Sequence, residues 1–207
     1  MSLVSTVISD IRVEINDTGS TRFTDDTTVI LPLVKQAIRR ANRICQRVGL
    51  HFAKKKVAVT CTANQAYTTL TSDLDIPIGL YRDSDHVKVI QLGEDEWEQT
   101  ETAAELTYWL LDIENSKFLW NGTPTTNRAL TFWYYPTVDP SAYTTASTMP
   151  WGGRLDDIIS KYVALRIQNL EEMNIKVDEN ILKDMEVSII EAYMPQNPTS
   201  LQGSGWL

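Results

Sequence analysis

The chain is short of the residues from which most active sites are built. It has two cysteines, Cys45 and Cys61, and two histidines, His51 and His86, in 207 residues. No CxxC spacing joins the cysteines, so neither a disulfide framework nor a zinc knuckle is indicated, and reduced thiols are expected. A metal site of Cys45, His51 and Cys61 would supply only three ligands at no recognised spacing. GxSxG, HExxH and a phosphate-cradling glycine loop are missing, which removes the signatures of serine hydrolases, zinc proteases and nucleotide-binding loops. No catalytic residue, metal or cofactor is therefore assigned. No apolar run approaches the length of a membrane span. The opening MSLVSTVISDIRVEIND has no basic leader, so a protein made and kept in the cytoplasm is expected, with no membrane role. The sequon Asn121-Gly122-Thr123 then reads as a turn.

One further absence carries more information. Between Thr27 and Ser72 there is no Asp or Glu, while Lys35, Arg39, Arg40, Arg43, Arg47, Lys54, Lys55 and Lys56 give that segment a charge of +8. The whole chain is −8, with 27 acids against 19 bases, so the remainder carries −16. Such a split points to a positive patch with an acidic neighbour, either nucleic acid or the negative side of another copy.

What is present suits an ordinary folded protein. Hydrophobic content of 43% and charged content of 22% are those of a globular domain long enough to bury a core without metals or disulfides. Leu3, Val7, Ile8, Ile11 and Ile15 recur at helical spacing, and after a break a second helix shows the stripe Ile30, Leu33, Val34, Ala37, Ala41, Ile44, Cys45 and Val48. Arg39, Arg43 and Arg47 lie opposite that stripe. Thr24 or Thr28 is expected to cap this helix, with Gly49 closing it; Pro32 fits only a late start.

From about Ala53 the pattern becomes that of strands. Val57, Val59 and Cys61 alternate with Ala58, Thr60 and Thr62, and AYTTLT suits the partner strand of a hairpin. HVKVIQL, YWLLDI, KFLW and RALTFWYY read as further strands of an antiparallel sheet, and GEDEWEQ looks locally helical. After a loop from Tyr143 to Gly153, two more helices follow; Asp178 is expected to cap the last, with Ile181, Met185, Ile189 and Ala192 inward. The expected fold is α+β: a helical bundle core of two N-terminal and two C-terminal helices with an antiparallel β-rich insertion. Its parts are residues 1–52, 53–153 and 154–194, with an extended tail at 195–207.

Taken in order, VEIND, RFTDD with the ANRI step, GLHF, AYTTLTSD, HVKVIQLGEDEWE, YWLLDIENSKFLW, LTFWYYP and MPWGGRLDDIISKYVALR resemble the head-to-tail adaptor proteins of tailed bacteriophages. The resemblance covers about Leu3 to Tyr193, with Pro32 as a departure. It implies a non-enzymatic virion protein at the head-tail junction, made in the host cytoplasm. It also implies a ring, commonly dodecameric, that docks beneath the portal, connects capsid to tail and continues the DNA channel. The implied partners are further copies of the chain, the portal protein, tail or nozzle proteins, and the genomic DNA passing through. The tail residues Pro195, Gln196, Asn197, Pro198, Leu201, Trp206 and Leu207 become candidates for portal docking; the alternative is a frayed end.

The candidate interface or DNA-facing residues are the eight cations Lys35, Arg39, Arg40, Arg43, Arg47, Lys54, Lys55 and Lys56. A solvated helix face is the competing reading for the arginines, and protection of a strand edge for the lysines. Glu94, Asp95, Glu96 and Glu98 match neither a glycosidase pair nor a calcium loop, and read as a solvated acidic helix start or the partner patch of the basic stripe. Trp97, Trp109, Trp120, Trp133, Tyr134 and Tyr135 are either a base-stacking platform or the packing of a sheet. A nucleic-acid-binding module built on the cations of 35–56 is the alternative function. A cell-wall hydrolase using Glu94 to Glu98 ranks last.

Overall fold

The computed structural model describes residues 2–98, 106–172 and 175–193. The chain divides into two compact units, one formed by Met1–Ala53 with Val138–Leu207 and the other by Lys54–Thr137. The described helices are α1 (Val4–Glu14), α2 (Ile30–Val48), α3 (Glu94–Glu98), α4 (Asp156–Glu172) and α5 (Ile175–Tyr193). All but α3 belong to the first unit.

That unit is a helix-on-helix core. Val4, Val7, Ile8 and Ile11 of α1 are buried, as are Ile159, Val163 and Ile167 of α4 and Ile181, Met185 and Ile189 of α5. Ala192 is exposed and stands outside the expected stripe. In α2, Ile30, Val34, Ala37, Ile38, Ala41, Ile44 and Cys45 face inward, and the arginines of the opposite face are exposed. Pro32 is the third residue of α2, where its missing N–H breaks no intrahelical bond. Gly49 closes α2 with φ of 81°, and the N–H groups of Gly49 and Leu50 both donate to the carbonyl of Cys45.

Two expected caps are corrected. Val29 occupies the N-cap of α2 with no side-chain bond. Thr28 Oγ1 instead donates to the carbonyl of Asp25 at 2.9 Å, and the N–H of Leu31 is taken by the carbonyl of Asp26 at 2.8 Å. Asp178 lies inside the first turn of α5, where its carboxylate receives Arg166 Nη1 at 2.6 Å.

The second unit is a seven-stranded sheet: β1 (Lys55–Cys61), β2 (Tyr67–Thr69), β3 (Leu74–Arg82), β4 (Lys88–Gln91), β5 (Tyr108–Asp112), β6 (Lys117–Trp120) and β7 (Arg128–Pro136). Their spatial order is β1-β7-β3-β4-β5-β6-β2. The two terminal strands approach each other, with Thr68 Oγ1 of β2 donating to the Thr60 carbonyl of β1 at 2.8 Å, so the sheet is nearly closed and barrel-like. Its interior holds Val59, Cys61, Leu80, Trp109, Phe118, Trp120, Leu130, Phe132 and Tyr134. Trp109 and Phe118 each meet Phe132, at centroid distances of 5.7 and 4.8 Å, and Trp109 Nε1 donates to the Val89 carbonyl at 3.2 Å.

The helical bundle core with an antiparallel insertion is thereby corrected. The fold is a mixed α+β arrangement in which the sheet has a core of its own, and β4 pairs with β5 in parallel. The expected β1–β2 hairpin is also wrong in its pairing: β1 is hydrogen-bonded along its length to β7, and β2 to β6. Strand β3 carries Pro77 and Gly79 and escapes a propensity reading. The sheet accommodates it with register shifts at Leu74/Ile76 and Pro77/Gly79.

Candidate functional site

Four-residue steps along α2 place Arg39, Arg43 and Arg47 about 6 Å apart in rise on one side of the helix, and Arg40 joins them one residue on. The facing side of α5 contributes Leu182, Lys183 and Glu186, and α4 contributes Arg166. Together with Gln36 and Ile44 these residues line a groove of about 560 Å³. Six of the lining side chains are cations and one is a carboxylate, a net charge of +5.

Some of this charge is answered locally. Arg47 is paired with Glu186 across the groove, and that hydrogen bond and charge raise the guanidinium's pKa further. Arg39 lies 3.5 Å from Asp139, with both side chains more than half exposed, so this pair adds little stability. Hydrogen bonds from Ser141 lead the causes that lower the Asp139 pKa, with Arg39 contributing less. Lys35 Nζ donates to the Ser141 carbonyl at 2.8 Å. Arg40 and Arg43 are exposed and form no ion pair among the described residues. Among the described residues the groove lining contains no histidine, cysteine, serine or threonine. Forked guanidinium donors of this kind suit carboxylates and phosphates.

A family model described as SU10 adaptor protein matches residues 2–175. The chain belongs to this phage head-to-tail adaptor family. The comparison with curated proteins found no match. Among the described residues no helix is long and apolar enough to cross a membrane.

In this adaptor the eight sequence-predicted cations are divided between the two units. Lys35 and the four arginines sit on α2, whereas Lys54 precedes β1 and Lys55 and Lys56 open it. Lys54 lies over the Tyr135 ring at 6.0 Å and Lys56 over Trp133 at 5.9 Å. Lys55 Nζ lies 2.8 Å from Asp73. Because β1 is a terminal strand of the sheet order, these lysines also guard an edge. Burial opposes ionisation of Asp73, but hydrogen bonds from Lys55, Thr71 and Tyr134 and the charge of Lys55 prevail and hold its pKa at about 2.

The remaining candidates have separate positions. Glu94, Asp95 and Glu96 are exposed on α3, and Glu96 Oε2 accepts the N–H of Gly93 at 3.1 Å. Among the described residues no cluster of His, Cys, Asp and Glu could hold a metal. Trp109, Trp120, Tyr134 and Tyr135 are buried in the adaptor, and Trp97 and Trp133 partly so. Asn121 is buried as well; its Oδ1 accepts the N–H groups of Thr107 and Tyr108 at 3.2 and 3.1 Å. Pro195, Gln196, Asn197, Pro198, Leu201, Trp206 and Leu207 lie outside the described residues.

Sequence reasoning did not reach Arg166, Lys183 or Glu186. Lys183 and Glu186 are three residues apart on the polar side of α5, which marks them as neighbours; nothing in the sequence assigns that side to α2.

Proposed function

We propose that this adaptor works as a ring, dodecameric as the resemblance implies, that docks beneath the portal, joins capsid to tail and continues the channel through which DNA passes. The observation that carries the reading is the family match over residues 2–175. The charge distribution supports it independently. A head-to-tail contact joins two unlike patches and closes into a ring when its rotation permits, and a chain with a cationic groove and a net charge of −8 offers two such patches. In this reading Lys35, Arg39, Arg40, Arg43, Arg47, Lys54, Lys55 and Lys56 serve contacts between copies. Residues 195–207 reach the portal, using Pro195, Gln196, Asn197, Pro198, Leu201, Trp206 and Leu207.

The test is to mix the full chain with its portal and weigh the product by native mass spectrometry. A complex carrying many adaptor copies per portal is expected, and removal of residues 195–207 should weaken it. Absence of any association would dismiss the proposal. A second reading, a nucleic-acid-binding module, is favoured by Arg40 and Arg43, which form no ion pair among the described residues. It requires DNA affinity that falls steeply with added salt.

A further inference from the structure

We infer that the groove between α2 and α5 receives the acidic segment around α3 of a second copy of this chain. The inference rests on the ring reading above and names the two surfaces that meet. From Val89 to Ser116 the sequence holds eight carboxylates and no Lys or Arg, a formal −8 that mirrors the +8 of Thr27 to Ser72. Within that stretch Glu94, Asp95 and Glu96 follow one another and are exposed. Glu94 and Asp95 form no ion pair among the described residues, and neither do Arg40 and Arg43. Among the described residues the chain thus carries an unanswered pair of each sign.

Three features favour a protein segment over a phosphate backbone. Glu186 in the groove wall already holds Arg47, which interrupts the row of guanidiniums and leaves separate contacts suited to discrete acidic side chains rather than a continuous backbone of phosphates. Ile44 and Leu182 give the lining an apolar component, and the acidic run is followed directly by the partly exposed Trp97, an aromatic suited to covering such surface and to stacking on a guanidinium. The volume of about 560 Å³ is that of a cleft for a few side chains. Each copy has one groove and one α3, so every copy gives and receives, as a closed head-to-tail ring requires.

Charge reversal on the full chain tests this. Arg40→Glu/Arg43→Glu makes the groove acidic, and Glu94→Arg/Asp95→Arg makes the segment basic. Either variant alone sets like charges together and is expected to weaken self-association by about tenfold or more in Kd, measured by sedimentation velocity at low salt. An equimolar mixture of the two should regain it, because alternating copies again present opposite charges. Circular dichroism checks that these exposed changes leave the fold intact. Equal mass for wild type and both variants at every concentration overturns the inference, as does a mixture that recovers nothing. Loss of binding to a DNA duplex in Arg40→Glu/Arg43→Glu, with self-association unchanged, also overturns it and assigns the groove to phosphate. Portal binding is read on the same samples. Variants that still assemble on the portal as the wild type does overturn the groove contact and leave the adaptor reading standing. A wild-type chain that ignores the portal removes both.

Discussion

The guanidinium of Arg12, on the last turn of α1, lies 2.7 Å from the carboxylate of Asp17, and both side chains are almost wholly buried. Arg12 also donates to the Asp17 carbonyl at 3.2 Å, the Phe23 carbonyl at 2.6 Å and Asp26 Oδ1 at 2.6 Å. Asp17 in turn accepts the N–H groups of Thr21, Arg22 and Phe23 at 2.8, 2.9 and 3.1 Å. These bonds replace helix and sheet in the α1–α2 connection. They satisfy backbone donors of a segment that has no regular structure.

Arg12→Met is therefore expected to destabilise the first unit by about 3 to 5 kcal/mol, since it leaves buried carboxylate and carbonyl groups without their donor. Urea unfolding followed by helical circular dichroism measures this. A loss within the error of the fit would show that the cluster is dispensable.

Asp73 ties strands of the second unit together, receiving Lys55 Nζ and Tyr134 OH at 2.8 Å and Thr71 Oγ1 at 2.6 Å. Its pKa of about 2 is depressed from the ordinary value of 3.8, so its contribution is complete above the unfolded value and disappears as pH falls from about 4 through about 2. With its side chain 35% exposed, solvent screening reduces that contribution to about 1 kcal/mol. Asp73→Asn should lower the denaturation midpoint at pH 7 and match wild type near pH 2. An equal deficit at both pH values would assign the effect to packing instead.

Burial pushes the Cys45 thiol up to about 12 and the Cys61 thiol up to about 11. At pH 8 both are protonated and shielded, and a thiol reacts as its thiolate. Iodoacetamide should leave the native adaptor unmodified by mass spectrometry and add two groups in denaturant. Fast labelling of either cysteine in the native protein would contradict its placement.

Asp156, at the start of α4, has its pKa raised by burial first and then by the nearby charges of Asp157 and Asp10, against a hydrogen bond from Ser2. A raised folded-state pKa means that the folded form is favoured while the group is protonated, and that stability falls as pH rises through the shifted value. Asp156→Asn should accordingly raise Tm at pH 7 relative to wild type, with the advantage shrinking toward pH 3. A Tm at pH 7 below that of wild type would show that the helix-dipole and Ser2 interactions of the carboxylate outweigh its burial.

Legibility followed the range of the interactions. Helix α2 could be read except at its N-cap, because its apolar stripe, its arginine steps and the left-handed position at Gly49 are all local properties. The strands with β-branched and aromatic residues were visible for the same reason. Strand β3 was not, because Pro77 and Gly79 oppose strand propensity and only the surrounding sheet holds them there. Adjacent β1 and β2 read as a hairpin, yet Lys55 to Cys61 finds its register against Tyr134 to Arg128. Such pairing depends on which faces are buried together, and no short window contains that information.

Sequence alone determined that the chain separates its charge, that the motifs GxSxG and HExxH do not occur in it, and that its helical and β-rich parts follow in the adaptor order. Tertiary structure decided that the β-rich part encloses its own aromatic core, and that four of the eight cations, Arg39, Arg40, Arg43 and Arg47, belong to a groove completed by Arg166 and Lys183 while Lys54, Lys55 and Lys56 stand at a sheet edge. The division has a physical cause. Charge and periodicity are fixed by neighbours along the chain, whereas a groove exists only once packing has set two helices side by side.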